Sequence, residues 1–126
     1  MQRFFWICLA GAAGTGTRYL IALWAAQRFG SSFPYGTLIV NMTGCFLIAL
    51  IMPAAIAASW SPTLQSVLTV GYIGGLTTYS SFNHETTQLF QDGLPDIAAL
   101  NAVVTLFGCF VAGWLGLIAS RQLLGQ

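Results

Sequence analysis

Lysine is absent from this chain, and charge of either sign is scarce. Four arginines, two aspartates and one glutamate are all the charged side chains in its 126 residues. They make up 6% of the sequence, against about 25% in an ordinary soluble domain. A globule of this size with so little charge would not stay in solution. A net charge of +1 offers no basic patch, so nucleic acid is not an expected partner. A hydrophobic share of 56% excludes the disordered class, whose chains lack the apolar surface to form a core. Cysteine occurs three times, at Cys8, Cys45 and Cys109, without the CxxC spacing of a metal or redox site. The three read as small packing residues. What is present is long apolar runs, which imply a multi-pass protein of the lipid bilayer.

Polar punctuation divides the chain into four such runs, at about residues 4–29, 35–59, 63–90 and 97–124. Gly30-Ser31-Ser32-Phe33-Pro34, Trp60-Ser61-Pro62 and Gln91-Asp92-Gly93-Leu94-Pro95-Asp96 separate them. A signal peptide is not expected at the N-terminus, because the apolar stretch runs too long and contains Arg18. The alternation of barrel strands is missing. The expected fold is all-α: a single domain over residues 1–126 with four transmembrane helices. An even number of spans puts both termini and Trp60–Pro62 on one side. That side carries Arg3 and Arg121, and the other carries Arg28. Acidic residues count for little in orientation. So even a distribution permits insertion both ways, and hence an antiparallel homodimer.

The third run is the anomaly. Thr77-Thr78-Tyr79-Ser80-Ser81-Phe82-Asn83-His84-Glu85-Thr86-Thr87-Gln88 is polar at almost every position and cannot face lipid. It must line a water-filled path or lie inside a bundle, and four helices shield such a face poorly alone. Gly74-Gly75 precedes it and weakens the helix there. The result is either a simple kink, with Thr bonding back to i−4, or a break whose freed carbonyls take a protein partner or a cation. Sparser polar stripes recur on the other helices at four-residue spacing: Thr37, Asn41 and Cys45, and then Asn101, Thr105 and Cys109. Single groups of this kind act as interhelical glue; aligned stripes on several helices suit a polar pathway. Arg18 is costly inside a span. It either snorkels to an interface, stands as a fixed positive charge at a vestibule, or pairs with Glu85.

An enzyme is not expected. His84-Glu85-Thr86-Thr87-Gln88 lacks the second His of a zinc protease helix, and His84 is the only histidine. No nucleophile–base–orienter set or phosphate loop is present.

Gly74-Gly75-Leu76-Thr77-Thr78-Tyr79-Ser80-Ser81-Phe82 resembles the GGxTTFSTF signature of the Fluc (CrcB-type) bacterial fluoride channels. Gly36-Thr37-Leu38-Ile39-Val40-Asn41-Met42-Thr43-Gly44 is similar to that family's GTLxxNxxG element, and Gly14-Thr15-Gly16-Thr17-Arg18-Tyr19 to its first-helix GAxxRY-like element. The resemblance covers essentially the whole chain. It implies a fluoride-selective channel for passive export of fluoride across the bacterial inner membrane, conferring fluoride resistance. It implies a dual-topology antiparallel homodimer with a third helix broken near its middle. It also implies a structural Na⁺ at the dimer interface, held by the carbonyls of Gly74 and Thr77, a ligand set suited to a hard cation. Asn41, Ser81, Thr37 and Thr105 would offer donors to the ion. Phe82 and Tyr79 would offer the positive edges of their rings. Arg18 and Glu85 fall at the family's vestibule Arg and post-signature Glu. Two departures stand out: Tyr79 replaces the first signature Phe, and Cys109 falls where relatives often have Ser. Two other classes fit the residues less well. A small dual-topology proton-coupled multidrug exporter would use a first-helix Glu, which this chain lacks. A non-transporting structural subunit would have no use for so polar a third helix.

Overall fold

The computed structural model describes residues 1–125 and is helical throughout. Helix α1 spans Gln2–Phe29 and ends where Gly30, at φ 81°, turns the chain and returns its N–H to the Ala26 carbonyl. After Pro34, α2 spans Tyr35–Ala57 and carries Pro53 inside it. A tight turn follows, with Ser59 at φ 52°. The Ser61 hydroxyl then caps α3, Pro62–Ser66, by accepting from Leu64 N–H at 3.2 Å, and Pro62 occupies the first helical turn.

From there the chain winds as a π-helix over Val67–Ile73 and returns to α-helix for Gly74–Leu76, α4. Thr77 (φ −85°, ψ 155°) and Thr78 (φ −155°, ψ 115°) are extended. Helix α5 restarts at Tyr79 and runs Tyr79–Gln91. The third run is therefore two limbs, residues 62–76 and α5, joined by two non-helical residues. The last helix, α6, is Pro95–Leu123, opened by Pro95 and carrying Arg121 in its last turn. At 1.5 Å per residue its 29 residues reach about 43 Å, more than a hydrocarbon core of about 30 Å.

The packing is inverted relative to a soluble protein. The buried apolar residues are small or few: Ala25, Val40, Ala55, Ile73, Leu76, Ala98 and Ala112. Fully buried beside them are Asn101 and Ser120. The large apolar side chains point outward, among them Leu106, Phe107, Phe110 and Trp114 along α6. In water such a surface would aggregate; in lipid it is the solvated face. Helices α2 and α6 are each long and apolar enough to cross a membrane, and little of either is fully buried, unlike the core helix of a soluble protein. Close approach of backbones holds α1 to the first limb. A Cβ on Gly14 would lie 2.9 Å from Leu76 N, and one on Gly75 would lie 3.1 Å from Gly11 Cα. Small residues at helix contacts are the membrane substitute for a hydrophobic core.

Candidate functional site

The break at Thr77–Thr78 organises the interior. Thr77 N–H keeps its helical bond to the Ile73 carbonyl at 3.0 Å, but the Thr78 N–H and the carbonyls of both residues take side-chain partners from two other helices. Asn41 of α2 is buried and makes a reciprocal pair with Thr78: its Nδ2 donates to the Thr78 carbonyl at 3.0 Å, and its Oδ1 accepts from Thr78 N–H at 2.7 Å. A continuous helix would have given that N–H to the Gly74 carbonyl. From α1, Arg18 Nη1 donates to the Thr77 carbonyl at 3.1 Å. The Thr77 hydroxyl bonds back to the Ile73 carbonyl at 3.0 Å. Thr78 Oγ1 accepts from Ser81 N–H at 3.1 Å, capping α5, and donates to Ser81 Oγ at 3.0 Å. The helix is truly broken here, and the back-bonding threonine of a simple kink is present as one component. There is no room to rearrange: a Cβ on Gly44 would collide with the Thr77 methyl.

Arg18 is half-buried near the middle of α1. Its donor goes to the break, not to Glu85. Glu85 instead accepts from Thr37 Oγ1 at 2.7 Å, and its other oxygen, Oε2, is buried with no partner. These two residues line a cavity of about 330 Å³ at the end of α2 that follows Pro34, together with His84, Gln88 and Asp92.

A larger cavity of about 750 Å³ lies against the other side of the break. Asn41, Thr78, Tyr79, Phe82 and Thr105 line it. The Tyr79 and Phe82 rings are adjacent, with centroids 5.5 Å apart and planes tilted by 54°. No charged side chain lines this cavity among the described residues. The sequence-derived set is thus divided: Asn41, Tyr79, Phe82 and Thr105 share one cavity, and Thr37 and Glu85 share the other. Ser81 belongs to the cap of α5, and Arg18 to the break.

Three contributors fall outside that set. Thr78 is the hub of the break. Thr86 donates to the Phe82 carbonyl at 2.7 Å and accepts from Asn101 Nδ2 at 2.8 Å, which ties α5 to α6. Thr105 Oγ1 then reaches Asn101 Oδ1 at 3.4 Å. The signal for Asn101 was its place on the stripe with Thr105 and Cys109. Thr86 had none beyond sitting in a polar run.

Chemically, the larger cavity presents amide and hydroxyl groups and two aromatic rings among apolar neighbours, with no carboxylate. Such a lining favours a small anion over a cation. Residues 5–117 match the family described as CrcB-like protein, Camphor Resistance (CrcB). A protein of Sorangium cellulosum named fluoride-specific ion channel FluC is 48% identical, with 98% of each chain covered. Proteins of the same name from Citrifermentans bemidjiense and Anaeromyxobacter sp. (strain K) are each 44% identical, over 98% and 99% of this chain and the full length of theirs. Signature, length and relatives agree, and the chain belongs to the CrcB family.

Proposed function

We propose that this chain forms a fluoride-selective channel of the bacterial inner membrane, passing fluoride out of the cytoplasm down its gradient. The observation that carries the reading is the cavity beside the break, which neutral polar groups and the rings of Tyr79 and Phe82 line with no charged side chain among the described residues. Fluoride is small and strongly hydrated, so a pore must replace its water with close donors. Asn41 spends one amide N–H on Thr78 and keeps a second for the ion. Thr105 lines the same space and would have to release its long bond to Asn101 to donate to the ion, and the rings of Tyr79 and Phe82 would meet the ion edge-on. Thr37 and Glu85 belong to a vestibule, and Arg18 supplies a fixed positive charge between the two cavities. Transport is passive and makes and breaks no covalent bond, so no enzymatic step is assigned.

The working unit we propose is an antiparallel homodimer of a four-span chain. The outward apolar face of α6 and the open side of the larger cavity support it, since each calls for a cover. So does the near-even split of Arg3 and Arg121 against Arg28. A structural Na⁺ at the interface fits the residues present. Gly74 is exposed, and its carbonyl has lost the Thr78 N–H to Asn41. The Thr77 carbonyl takes one bond from Arg18 and has a second lone pair. Gly74 and Thr77 would hold the ion, and it would supply a positive charge that fixes the two breaks together.

Purified protein in liposomes loaded with fluoride or with chloride tests the reading. Fast fluoride efflux with no chloride efflux is expected. Absence of fluoride flux, or equal chloride flux, would overturn it.

A further inference from the structure

Cys45 and Cys109 were unassigned packing residues in the sequence. The structure brings them together. Helices α2 and α6 run close here: a Cβ on Gly113, one turn beyond Cys109, would lie 3.8 Å from the Cys45 carbonyl. Gly108, beside Cys109, faces Met42, one turn before Cys45, with a Cβ there 3.1 Å from the Met42 sulfur. Neither thiol is in a disulfide. Both line the 750 Å³ cavity and also a second, almost wholly apolar cavity of about 480 Å³ next to it. Each stands one helical turn from a member of the donor set, Cys45 after Asn41 and Cys109 after Thr105.

We propose that Cys45 and Cys109 form a two-thiol site for a thiophilic divalent cation, and that its occupation closes the fluoride pathway. Soft ions prefer thiolate sulfur to the hydroxyl and amide oxygens that line the rest of the cavity. Binding is charge-balanced: two S–H bonds break, two S–metal bonds form, two protons leave to water, and the bound unit is neutral. A neutral adduct is the form that a low-charge interior accepts. A metal with its remaining water ligands would fill the wall between Asn41 and Thr105, where the ion must pass. The site itself needs only the packing of α2 on α6; its blocking effect rests on the function proposed above.

The probe is Cd²⁺, in chloride-free buffer, on the full-length protein in liposomes and in detergent. At ten times its dissociation constant Cd²⁺ should leave about one-tenth of the fluoride flux, and dithiothreitol should restore it. Cys45→Ser, Cys45→Ala and Cys109→Ala should each raise the half-blocking Cd²⁺ concentration by about a hundredfold, relative to that variant's own flux, because one thiol loses the chelate advantage. Cys8→Ala should change nothing. In detergent, the cadmium–thiolate absorption should saturate at one ion per chain and need both thiols. Block that is unchanged in the Cys45 and Cys109 variants, or that disappears with Cys8→Ala, would overturn the proposal. So would an absorption band that leaves an active channel unblocked. If the band forms on a protein that carries no fluoride at all, the two-thiol site stands and the transport function fails.

Discussion

At the scale of single residues, Asn41 and Phe82 divide the work. Asn41 holds the break and faces the cavity at once. Asn41→Leu keeps the volume and orphans a buried N–H and a buried carbonyl on Thr78, each costing about 1–3 kcal/mol. The variant should melt at lower temperature in detergent and lose fluoride flux; unchanged melting would mean that the pair with Thr78 is not structural. Phe82 makes no side-chain hydrogen bond and is half-buried on the cavity wall. Phe82→Ile keeps an apolar side chain of similar bulk and removes the ring edge. Flux should fall by at least about tenfold, or 1.4 kcal/mol at the barrier, with assembly by size-exclusion chromatography intact. Undiminished flux would make Phe82 a packing residue. Arg18 shows where reading residues singly stops: its position was visible in the sequence, but its partner is the Thr77 carbonyl, far away along the chain.

At the scale of the element, the third run is two helices that pass for one. Its break was legible because Gly74-Gly75 and Thr77-Thr78 weaken the helix from both sides, and the polar run after them has little apolar to bury beyond Tyr79 and Phe82. The π-helical turn of Val67–Ile73 was not legible. It uses the same residue types as α-helix, and what selects it is contact with α1, where Gly71 leaves the room. The element also makes a steric prediction. Gly44→Ala pushes a methyl into the Thr77 methyl and should destabilise by about 1–3 kcal/mol, the usual penalty of overpacking. Thr77→Ser removes the opposing methyl. The double variant should recover most of the loss in a double-mutant cycle of detergent melting; additive losses would show that the two groups do not meet. The pairing of Thr86 with Asn101 was equally hidden, since it depends on how α5 docks against α6.

For the whole molecule, the inverted packing sets the terms. A chain whose large side chains face outward needs lipid around it, and the proposed dimer would cover part of that surface. Under the dual-topology proposal, C-terminal reporter fusions should be active on both sides of the membrane in comparable amounts, and a single exclusive orientation would defeat the antiparallel dimer. If Na⁺ joins the two breaks, exhaustive exchange into sodium-free buffer should lower fluoride flux without admitting chloride. Full flux after exchange would remove the ion from the assembly. The all-helical fold and its membrane character were open to a reading of the sequence, because both follow from hydropathy and the scarcity of charge. The division of the polar residues between two cavities was not, because it depends on which wall each helix presents.

The partners of the break have one further consequence, for synthesis. Arg18 and Asn41 both precede Thr77 and Thr78 in the chain, on helices that leave the ribosome first. The second limb is too polar to enter the membrane by its own affinity for lipid, and by the time it emerges its two anchors are already there to receive it. Asn101 arrives last and fastens the outer side through Thr86. The order of translation is thus also the order in which each exposed polar group finds its mate, and a permuted chain that made the broken segment first would have to hold it in the membrane with nothing to bind.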